Sequence, residues 1–387
     1  MRLLRSLMVL VSLLLLTEHA ICDDEGKESS TLPTPTEQAE LPPETVAVLR
    51  GSGNGTVLDA AFSSDGKRLA LGKSDGSIAL WVFEPGQFKV HQILQPEDVK
   101  GSVDLVRFSP DGRFLASVHR LVRFPNPGSV YGTLETHVQI WGFKGDKAVP
   151  LALAASKQID SGALAFHPKK PLVVFGSNLG EMFEIGEGEM NRLPRQFQGA
   201  NSHYMFSPEG NFFASVFFTP ARNGDLYASE AKLWQLDGGD IVERVKIRLE
   251  SSIKAMALSP EGPYVATGSL DRTVRIWDVA RQPPSVTGSF AMKTWPRHLQ
   301  FTPDGKRLVA TASGNEIIVW NLETSVVEKM WTFLPSHNGP LNVGMLSLLL
   351  STSDLSPDGQ HLVFSNHTPN AFVVRMPQAA RPSLNKR

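Results

Sequence analysis

The sequence predicts an all-β repeat protein, because one strand-turn-strand unit recurs seven times along its 387 residues. The clearest copy is residues 258–278, where a strand, a Pro-Glu-Gly turn, a second strand, an Asp-led turn and a third strand follow one another. The third strand ends in Trp-Asp. Such a unit cannot bury both of its faces alone, so neighbouring copies have to pack against one another.

The seven copies align on the apolar residue that precedes each Pro-Asp-Gly type of turn. In this turn Pro sets the φ angle of its first position, Asp accepts a hydrogen bond from the backbone two residues on, and Gly adopts a positive φ. Successive copies lie 40 to 58 residues apart. The aligned residues are Phe62, Phe108, Phe166, Phe206, Leu258, Phe301 and Leu355.

A large aromatic ring recurs at the end of the third strand. A ring at a fixed position of a repeated strand indicates packing between neighbouring sheets rather than ligand binding. We assign Ile185 to this position in the third copy, and Met376 or a nearby residue in the seventh. The five tryptophans at this position are Trp81, Trp141, Trp234, Trp277 and Trp320.

On its turns, strands and tryptophan spacing, the chain resembles the WD40-repeat family over residues 45–376. The fifth copy is the most similar, since Thr267, Asp271 and Trp277 match the family's polar cluster of strand and turn. The resemblance implies a seven-bladed β-propeller with four-stranded antiparallel blades. The family's Gly-His pair before the first strand is absent, so we expect no buried hydrogen-bond relay from His to Trp.

The two ends of the repeat region predict how the ring closes. The seventh copy runs out after its third strand, Ala371–Val374, while Thr45–Leu49 precedes the first copy as a strand without a partner. Placing this N-terminal strand on the outer edge of blade seven completes the blade and removes an exposed edge, as in other members of the family. Six or eight blades would leave a strand unpaired.

The flanking segments predict an exported protein. Residues 1–22 have a positive start, a short apolar run and small residues before Asp23, the layout of a secretory signal peptide. An uncleaved anchor and a lipid anchor on Cys22 are the alternatives. Residues 23–44 are acidic and rich in Ser, Thr and Pro, typical of a flexible linker, and residues 377–387 form a basic, disordered tail. We therefore expect a secreted, periplasmic or cell-surface location.

Three insertions interrupt the regular spacing, in copy two, in copy four and before copy seven at 334–344. Because strands alternate in direction, all three should project from the face opposite the Pro-Asp-Gly turns. Aromatic and Arg side chains on loops of a rigid scaffold favour partner binding, although longer hairpins that pack over the blade rim are the alternative. The candidate partner-binding residues are Arg120, Arg123, Phe124, Tyr131, Phe218, Arg222, Tyr227, His337 and Asn338.

No motif for a nucleophile, a zinc site or a phosphate loop is found in the sequence. The histidines lie at unrelated positions of the repeat, with an approach of His119 to His337 as the one pairing to consider. We therefore expect no metal and no cofactor. A net charge of −1 gives no basic surplus for nucleic-acid binding.

The sequence thus favours a non-catalytic, monomeric ring that binds an unknown protein or peptide through the face carrying the insertions. A propeller enzyme, lactonase-like or hydrolase-like, would need ionisable groups in the central channel. The starts of the first strands offer mainly apolar or small residues, with Asp59, Asp104 and Lys254 as exceptions. A structural ring, displayed at a membrane or wall by its N-terminal tether, is a further alternative.

Overall fold

The structure is a computed structural model and describes most of the chain between residues 42 and 378. The predicted segment 1–22, most of the predicted linker and the end of the predicted tail lie outside the described residues. The described ranges are 42–50, 55–84, 87–96, 99, 101–123, 133–156, 163–176, 179–186, 188–198, 203–219, 228–237, 240–314, 316–332, 350, 352–366 and 368–378.

The described residues form seven four-stranded antiparallel sheets, which confirms the predicted all-β seven-bladed propeller. Strand β1 (Thr45–Arg50) precedes blade 1, which consists of β2 (Val57–Phe62), β3 (Arg68–Lys73), β4 (Ile78–Glu84) and β5 (Gln87–Leu94). Blade 2 consists of β6 (Ser102–Phe108), β7 (Phe114–Arg123), β8 (Thr133–Lys144) and β9 (Lys147–Ser156). Blade 3 consists of β10 (Leu164–Phe166), β11 (Leu172–Phe175), β12 (Leu179–Ile185) and β13 (Met190–Gln198). Blade 4 consists of β14 (Tyr204–Phe206), β15 (Phe212–Thr219), β16 (Ala228–Asp237) and β17 (Asp240–Leu249).

The remaining blades follow in chain order. Blade 5 consists of β18 (Ile253–Leu258), β19 (Tyr264–Ser269), β20 (Thr273–Asp278) and β21 (Ser285–Ala291). Blade 6 consists of β22 (Pro296–Phe301), β23 (Arg307–Ala312), β24 (Glu316–Asn321) and β25 (Val326–Thr332). Blade 7 consists of β26 (Thr352–Leu355), β27 (His361–Ser365) and β28 (Asn370–Arg375), with β1 as its fourth strand. From the sequence, the apolar run 345–350 is also a candidate for the first strand of blade 7, but that strand begins at Thr352. Residues 345–349 lie outside the described residues.

The N-terminal strand closes the ring, as predicted. β1 pairs antiparallel with β28, and Leu49 lies opposite Ala371. The Lys329 ammonium group and the Trp331 indole of blade 6 both contact the carboxylate of Glu44, next to the start of β1. Each first strand also contacts the first strands of both neighbouring blades, including β26 with β2, so the centre of the ring is continuous.

The turns have the geometry that their residues predict. The glycine that ends each of six turns has a φ between 65° and 77°. In the turn of blade 1, Asp65 Oδ1 accepts hydrogen bonds from the Ser63 hydroxyl at 2.6 Å and the Lys67 amide at 3.0 Å. In blade 3, where the Asp is missing, His167 Nδ1 accepts from the Lys169 amide at 3.0 Å instead. All of these turns lie on one face, which we call the turn face.

The strand register corrects two residues assigned to the tryptophan position. In blade 5 Trp277 lies opposite Val265 on the neighbouring strand. The matching residue is Phe183 in blade 3, opposite Val173, and Val374 in blade 7, opposite Leu362. The assignment to Ile185 was therefore wrong, because strand length varies between blades, and the position left as Met376 or a nearby residue is occupied by Val374. Five tryptophans and these two residues all pack between sheets.

In three blades the tryptophan of the third strand donates a hydrogen bond to a hydroxyl group on the second strand. This bond is one part of the family's buried hydrogen-bond relay. Trp277 Nε1 donates to the Thr267 hydroxyl at 2.9 Å. Thr267 lies two residues after Val265, the residue opposite Trp277 on the neighbouring strand. Trp141 donates to Ser117 and Trp234 to Ser215 in the same way, at 3.0 and 2.7 Å. In blade 1 the equivalent residue is Leu71, and the buried Trp81 indole nitrogen has no hydrogen-bond partner among the described residues.

Removing this hydroxyl should destabilise blade 5. We expect Thr267→Val to lower the free energy of unfolding by about 1–3 kcal/mol, because the change keeps the shape and leaves the Trp277 indole N–H without an acceptor. Thr324→Val, at an exposed turn of blade 6, is the matched control and should change stability by less than about 0.5 kcal/mol. Urea unfolding followed by tryptophan fluorescence measures both. Equal effects of the two substitutions would show that the hydrogen bond contributes nothing.

Candidate functional site

The hairpins of blades 2 and 4 extend beyond the other blades on the face opposite the turns, which we call the insertion face. β7 and β8 have 10 and 12 residues, and β15 and β16 have 8 and 10, whereas β19 and β20 of blade 5 have 6 each. The pairing continues to Arg123 opposite Thr133 and to Thr219 opposite Ala228. Both insertions are therefore prolonged two-stranded ribbons at their bases, as their sequences suggest.

Two of the nine candidate residues have side chains that the structure describes. Arg120, on β7, is 28% exposed and forms an ion pair with Asp104, Nε to Oδ2 2.9 Å. Phe218, on β15, is partly exposed, and the Lys254 ammonium nitrogen lies 5.4 Å from the centre of its ring, a cation–π contact. Phe124, Tyr131, Arg222, Tyr227, His337, Asn338 and the side chain of Arg123 lie outside the described residues.

These two contacts connect the hairpins to the central channel. Asp104 and Lys254 are ionisable groups that the sequence places at the starts of the first strands, and each is contacted by one insertion hairpin. Both occupy the position where the pairing of the first strand with the second shifts by one residue. The hairpins and the channel entrance thus form one surface, which the sequence could not show.

Asp59, the third such residue, has a structural environment. Its side chain is 4% exposed and accepts three hydrogen bonds from two neighbouring blades. The donors are the Thr352 hydroxyl at 2.7 Å, the Val106 amide at 2.8 Å and the Arg107 guanidinium at 2.6 Å. Asp59 therefore links blade 1 to blades 2 and 7 at the centre of the ring.

Polar side chains on the first strands also join the neighbouring interfaces. Asp354 Oδ2 accepts from the Phe62 amide at 2.7 Å, across the interface of blades 7 and 1. Gln300 Oε1 accepts from the Leu355 amide at 2.9 Å, across the interface of blades 6 and 7. Around blade 7, hydrogen bonds between a side chain of one blade and a backbone amide of the next therefore hold the channel wall together.

Burial in this wall raises the pKa of Asp354 to about 6, and repulsion from Asp59 adds to the effect. The Phe62 amide and Arg107 oppose it. Because the folded state holds this proton more tightly than the unfolded chain does, Asp354 stabilises the fold below about pH 4, and this contribution is lost as the pH rises through 6.

Asp354→Asn should therefore stabilise the protein at pH 7.5 and leave it unchanged near pH 4. The asparagine oxygen can still accept from the Phe62 amide, and the gain at pH 7.5 should reach up to about 3 kcal/mol. Asp358→Asn in the turn of blade 7 is the opposite control, since hydrogen bonds from Ser356 and Gln360 outweigh its burial and lower its pKa. Asp358→Asn should therefore lower the stability at pH 7.5 only. Urea midpoints at both pH values test the pair, and a pH-independent effect of Asp354→Asn would contradict the assignment.

The histidines are less scattered than the sequence suggests. His203 and His298 each lie three residues before the aligned Phe, in blades 4 and 6, so the description of unrelated positions was wrong for this pair. Burial lowers the pKa of His203 to about 4, and His298, Arg107 and Lys254 act in the same direction. His203 therefore lies near three basic side chains and is neutral at pH 7.

His119 lies opposite His137 on the paired strands of blade 2. His337, the partner considered for it from the sequence, is outside the described residues. His119 is fully buried, and its Nε2 lies 2.9 Å from the Ser117 hydroxyl, so it extends the tryptophan pair of that blade. Burial and then His137 lower its pKa to about 4. Over the described residues no group of three or more His, Cys, Asp or Glu is placed to hold a metal.

The channel carries more ionisable groups than the sequence analysis identified. Three of these groups occupy, in copies four and six, the same columns as Asp59, Asp104 and Lys254, three or four residues before the aligned residue. The other two lie one residue before it, at the end of the first strand. Comparing those columns across all seven copies would have found them. The residues missed are Arg107, His203, Arg297, His298 and Asp354.

The turn face has a different character. Prolines of six turns and the adjoining apolar residues surround a cavity of about 340 Å³ at its centre. Pro110, Pro208 and Pro357 are among them, together with Met205 and Leu299. The two faces of the ring thus differ in chemistry: the turn face is apolar at its centre, and the insertion face is charged.

The repeat sequences are found in known proteins. Residues 43–82 and 245–278 match the family of the WD domain, G-beta repeat. The first range covers β1 and the first three strands of blade 1, and the second covers the end of β17 and the first three strands of blade 5. The two ranges are equivalent, because β1 and β17 are each the outer strand of the preceding blade. The chain is a WD40-repeat β-propeller.

Several curated proteins are similar to this WD40 propeller over most of its length. Protein hir1 of Schizosaccharomyces pombe is 25% identical over 313 residues, 72% of this chain and 26% of that protein. Transducin beta-like protein 2 of Homo sapiens is 25% identical over 70% of this chain and 60% of its own length. Target of rapamycin complex subunit wat1 of Schizosaccharomyces pombe is 22% identical over 55% of this chain and 62% of its own. The matched region spans less than two thirds of each of these relatives.

The relatives correct the predicted location. Protein hir1 and the wat1 subunit are nuclear or cytoplasmic proteins, and the set of relatives points away from an exported protein. The expectation of a secreted, periplasmic or cell-surface WD40 propeller was therefore wrong. The N-terminal charge and apolar pattern on which it depended is a local feature that many kinds of segment share. No helix in the described part of the chain is long and apolar enough to cross a membrane.

Proposed function

We propose that this WD40 propeller is a non-catalytic scaffold that binds a partner protein through its insertion face. The observation that supports the proposal most strongly is the joining of two extended hairpins to the channel entrance, by Arg120 with Asp104 and by Phe218 with Lys254. The ion pair of blade 2 and the aromatic–lysine contact of blades 4 and 5 therefore lie on the same face of a rigid ring. Such a combination is typical of binding sites.

The relatives support an interaction role. One of them is named as a subunit of the target of rapamycin complex, and another, from Drosophila melanogaster, as Actin-interacting protein 1, 23% identical over 74% of this chain. WD40 homologues act in protein complexes, and the coarse role of interaction scaffold follows from that similarity. Binding of a partner protein at the insertion face is the part that we propose.

The packing alternative accounts less well for the hairpin contacts. Arg120 and Phe218 are both partly exposed and contact charged residues of the channel entrance, rather than lying beneath the hairpins against the blade rim. The enzyme alternative has little support, because both oxygens of Asp59 accept hydrogen bonds from neighbouring blades and Asp104 is held by Arg120.

Replacing the hairpin ends should abolish partner capture without unfolding the ring. Arg123 pairs with Thr133 and Thr219 with Ala228, so residues 124–132 and 220–227 can each be replaced by the two-residue turn Asn-Gly. We expect affinity capture from native lysate to recover at least about tenfold less of a specific partner with the double replacement, since loss of central anchor residues costs this much or more.

The matched control applies the same replacement on the turn face. Residues 280–283, between β20 and β21, are exposed and can be exchanged for Asn-Gly. Partner recovery should then match the unaltered protein, and thermal unfolding of all variants checks that the ring is intact. Equal recovery with the hairpin-replaced protein, or loss with the control alone, would contradict the proposal.

A further inference from the structure

Two cations of adjacent blades lie side by side at the insertion-face end of the channel. Lys254 and Arg297 occupy the same position of blades 5 and 6, the residue at which the first strand shifts register against the second. Their strands, β18 and β22, contact each other at the centre of the ring. The Arg297 guanidinium is anchored to the Leu350 carbonyl at 3.3 Å.

Lys254 differs from the equivalent charged residue of blade 2. Asp104 at that position is neutralised by Arg120 at 2.9 Å, whereas no carboxylate of the described residues lies within 4 Å of the Lys254 ammonium nitrogen. Among the described residues, its ammonium group makes a cation–π contact with the Phe218 ring.

The described groups that act electrostatically on Lys254 and on its neighbour His203 are basic. His203 lies within electrostatic range of Lys254, Arg107 and His298, and Lys254 lies within range of Arg297. Two carboxylates on the inner strands are engaged elsewhere, Asp59 by Arg107 and Asp354 by the Phe62 amide. Lys254 and Arg297 thus place two positive charges at this end of the channel, although the whole chain carries a net charge of −1.

We propose that the insertion-face end of the channel binds an acidic side chain, Asp or Glu, of a partner peptide, with the Lys254 ammonium and the Arg297 guanidinium as the groups that receive the carboxylate. The inference rests on the proposed function, because it names the chemistry that the insertion face recognises. A peptide side chain fits a channel encircled by seven first strands, and the Phe218 ring provides an apolar wall beside the charge.

The electrostatic interaction of Lys254 with Arg297 agrees with this assignment. Burial lowers the pKa of Lys254, and the Arg297 charge lowers it further, so two like charges destabilise each other in the absence of an anion. A carboxylate between them reverses that repulsion and forms charge-assisted hydrogen bonds, which are the stronger kind. Binding affinity should consequently fall as the ionic strength rises.

Fluorescence polarisation with a labelled peptide of alternating Gly and Glu tests the proposal on the full chain. The control probe is the same peptide with every Glu replaced by Gln. We expect the acidic peptide to bind at least about tenfold more tightly, and the Lys254→Gln, Arg297→Gln double variant to lose about tenfold or more of that affinity. Lys293→Gln is the matched control, because this exposed lysine already has a carboxylate partner in Glu316, and it should change the affinity less than about twofold.

Thermal unfolding provides a second measurement on the same variants. Lys254→Gln should leave the unfolding temperature unchanged or raise it, since it removes an uncompensated charge; a clear fall would show that Lys254 is a structural partner and overturn the proposal. The proposal would also be overturned if both peptides bound equally, if neither bound, or if the double variant kept its affinity. Saturation by inorganic phosphate at a lower concentration than by the peptide would overturn it as well. If partner capture still depends on the hairpins in that case, the proposed function stands without this inference.

Discussion

Replacing Leu49 by alanine is expected to lower the free energy of unfolding by about 2–5 kcal/mol, the usual effect of truncating a fully buried leucine. Leu49 is 1% exposed and packs with Trp81 and Val373 in the core between blades 1 and 7. The effect should be large because β1 is the fourth strand of blade 7, and its packing holds the N-terminal and C-terminal ends of the ring together.

The adjacent residue provides the control for this prediction. Val48 lies on the other face of the same strand and is 39% exposed, so Val48→Ala should lower stability by less than about 1 kcal/mol. Urea unfolding of both variants, followed by tryptophan fluorescence, measures the difference. If the two substitutions had equal effects, ring closure by β1 would not contribute to stability.

Asp59→Ala is expected to lower the free energy of unfolding by about 3–5 kcal/mol. The substitution removes the acceptor of Thr352, Val106 and Arg107 together, and it leaves the Arg107 guanidinium and a buried amide without their partner. Asp59→Asn should have a smaller effect, because it keeps an oxygen acceptor and loses only the charge.

An exposed ion pair is the control for Asp59. Asp146 contacts Arg68 at 3.0 Å, but its side chain is 80% exposed, so Asp146→Ala should cost less than about 1 kcal/mol. Chemical denaturation of both variants measures the two losses of stability. A much larger loss for Asp59→Ala shows that the charge joining three blades contributes more than the charge at the surface. A loss of less than about 1 kcal/mol for Asp59→Ala would contradict the structural role assigned to it.

The regular parts of the fold are predictable from the sequence because local chemistry dictates them. Pro-Asp-Gly turns require Gly at a positive φ, and Gly66, Gly112 and Gly359 all have it. The orphan strand at Thr45 and the missing last strand of the seventh copy together require closure of the ring, and the pairing of β1 with β28 confirms it. Where strand length varies, as before Phe183, counting residues assigned the wrong side chain to the core.

The candidate site is harder to predict because its residues meet across blades. Nothing in one repeat indicates that Lys254 will lie next to Arg297 or beneath Phe218, since these contacts depend on the closed ring. The hairpins themselves were predicted from their extra length, and Arg120 and Phe218 were among the candidates. Their contacts with the channel entrance follow from the pairing of strands far apart in the sequence.

Photo-crosslinking tests the central claim, partner binding at the insertion face, most directly. A photoreactive phenylalanine analogue is placed at Phe218 on the insertion face, and in a second protein at Pro208 on the turn face, where the side chain is exposed. After irradiation in native lysate, the claim predicts a discrete crosslinked partner from position 218 that is absent from position 208. A partner crosslinked from position 208 and not from position 218 would contradict it.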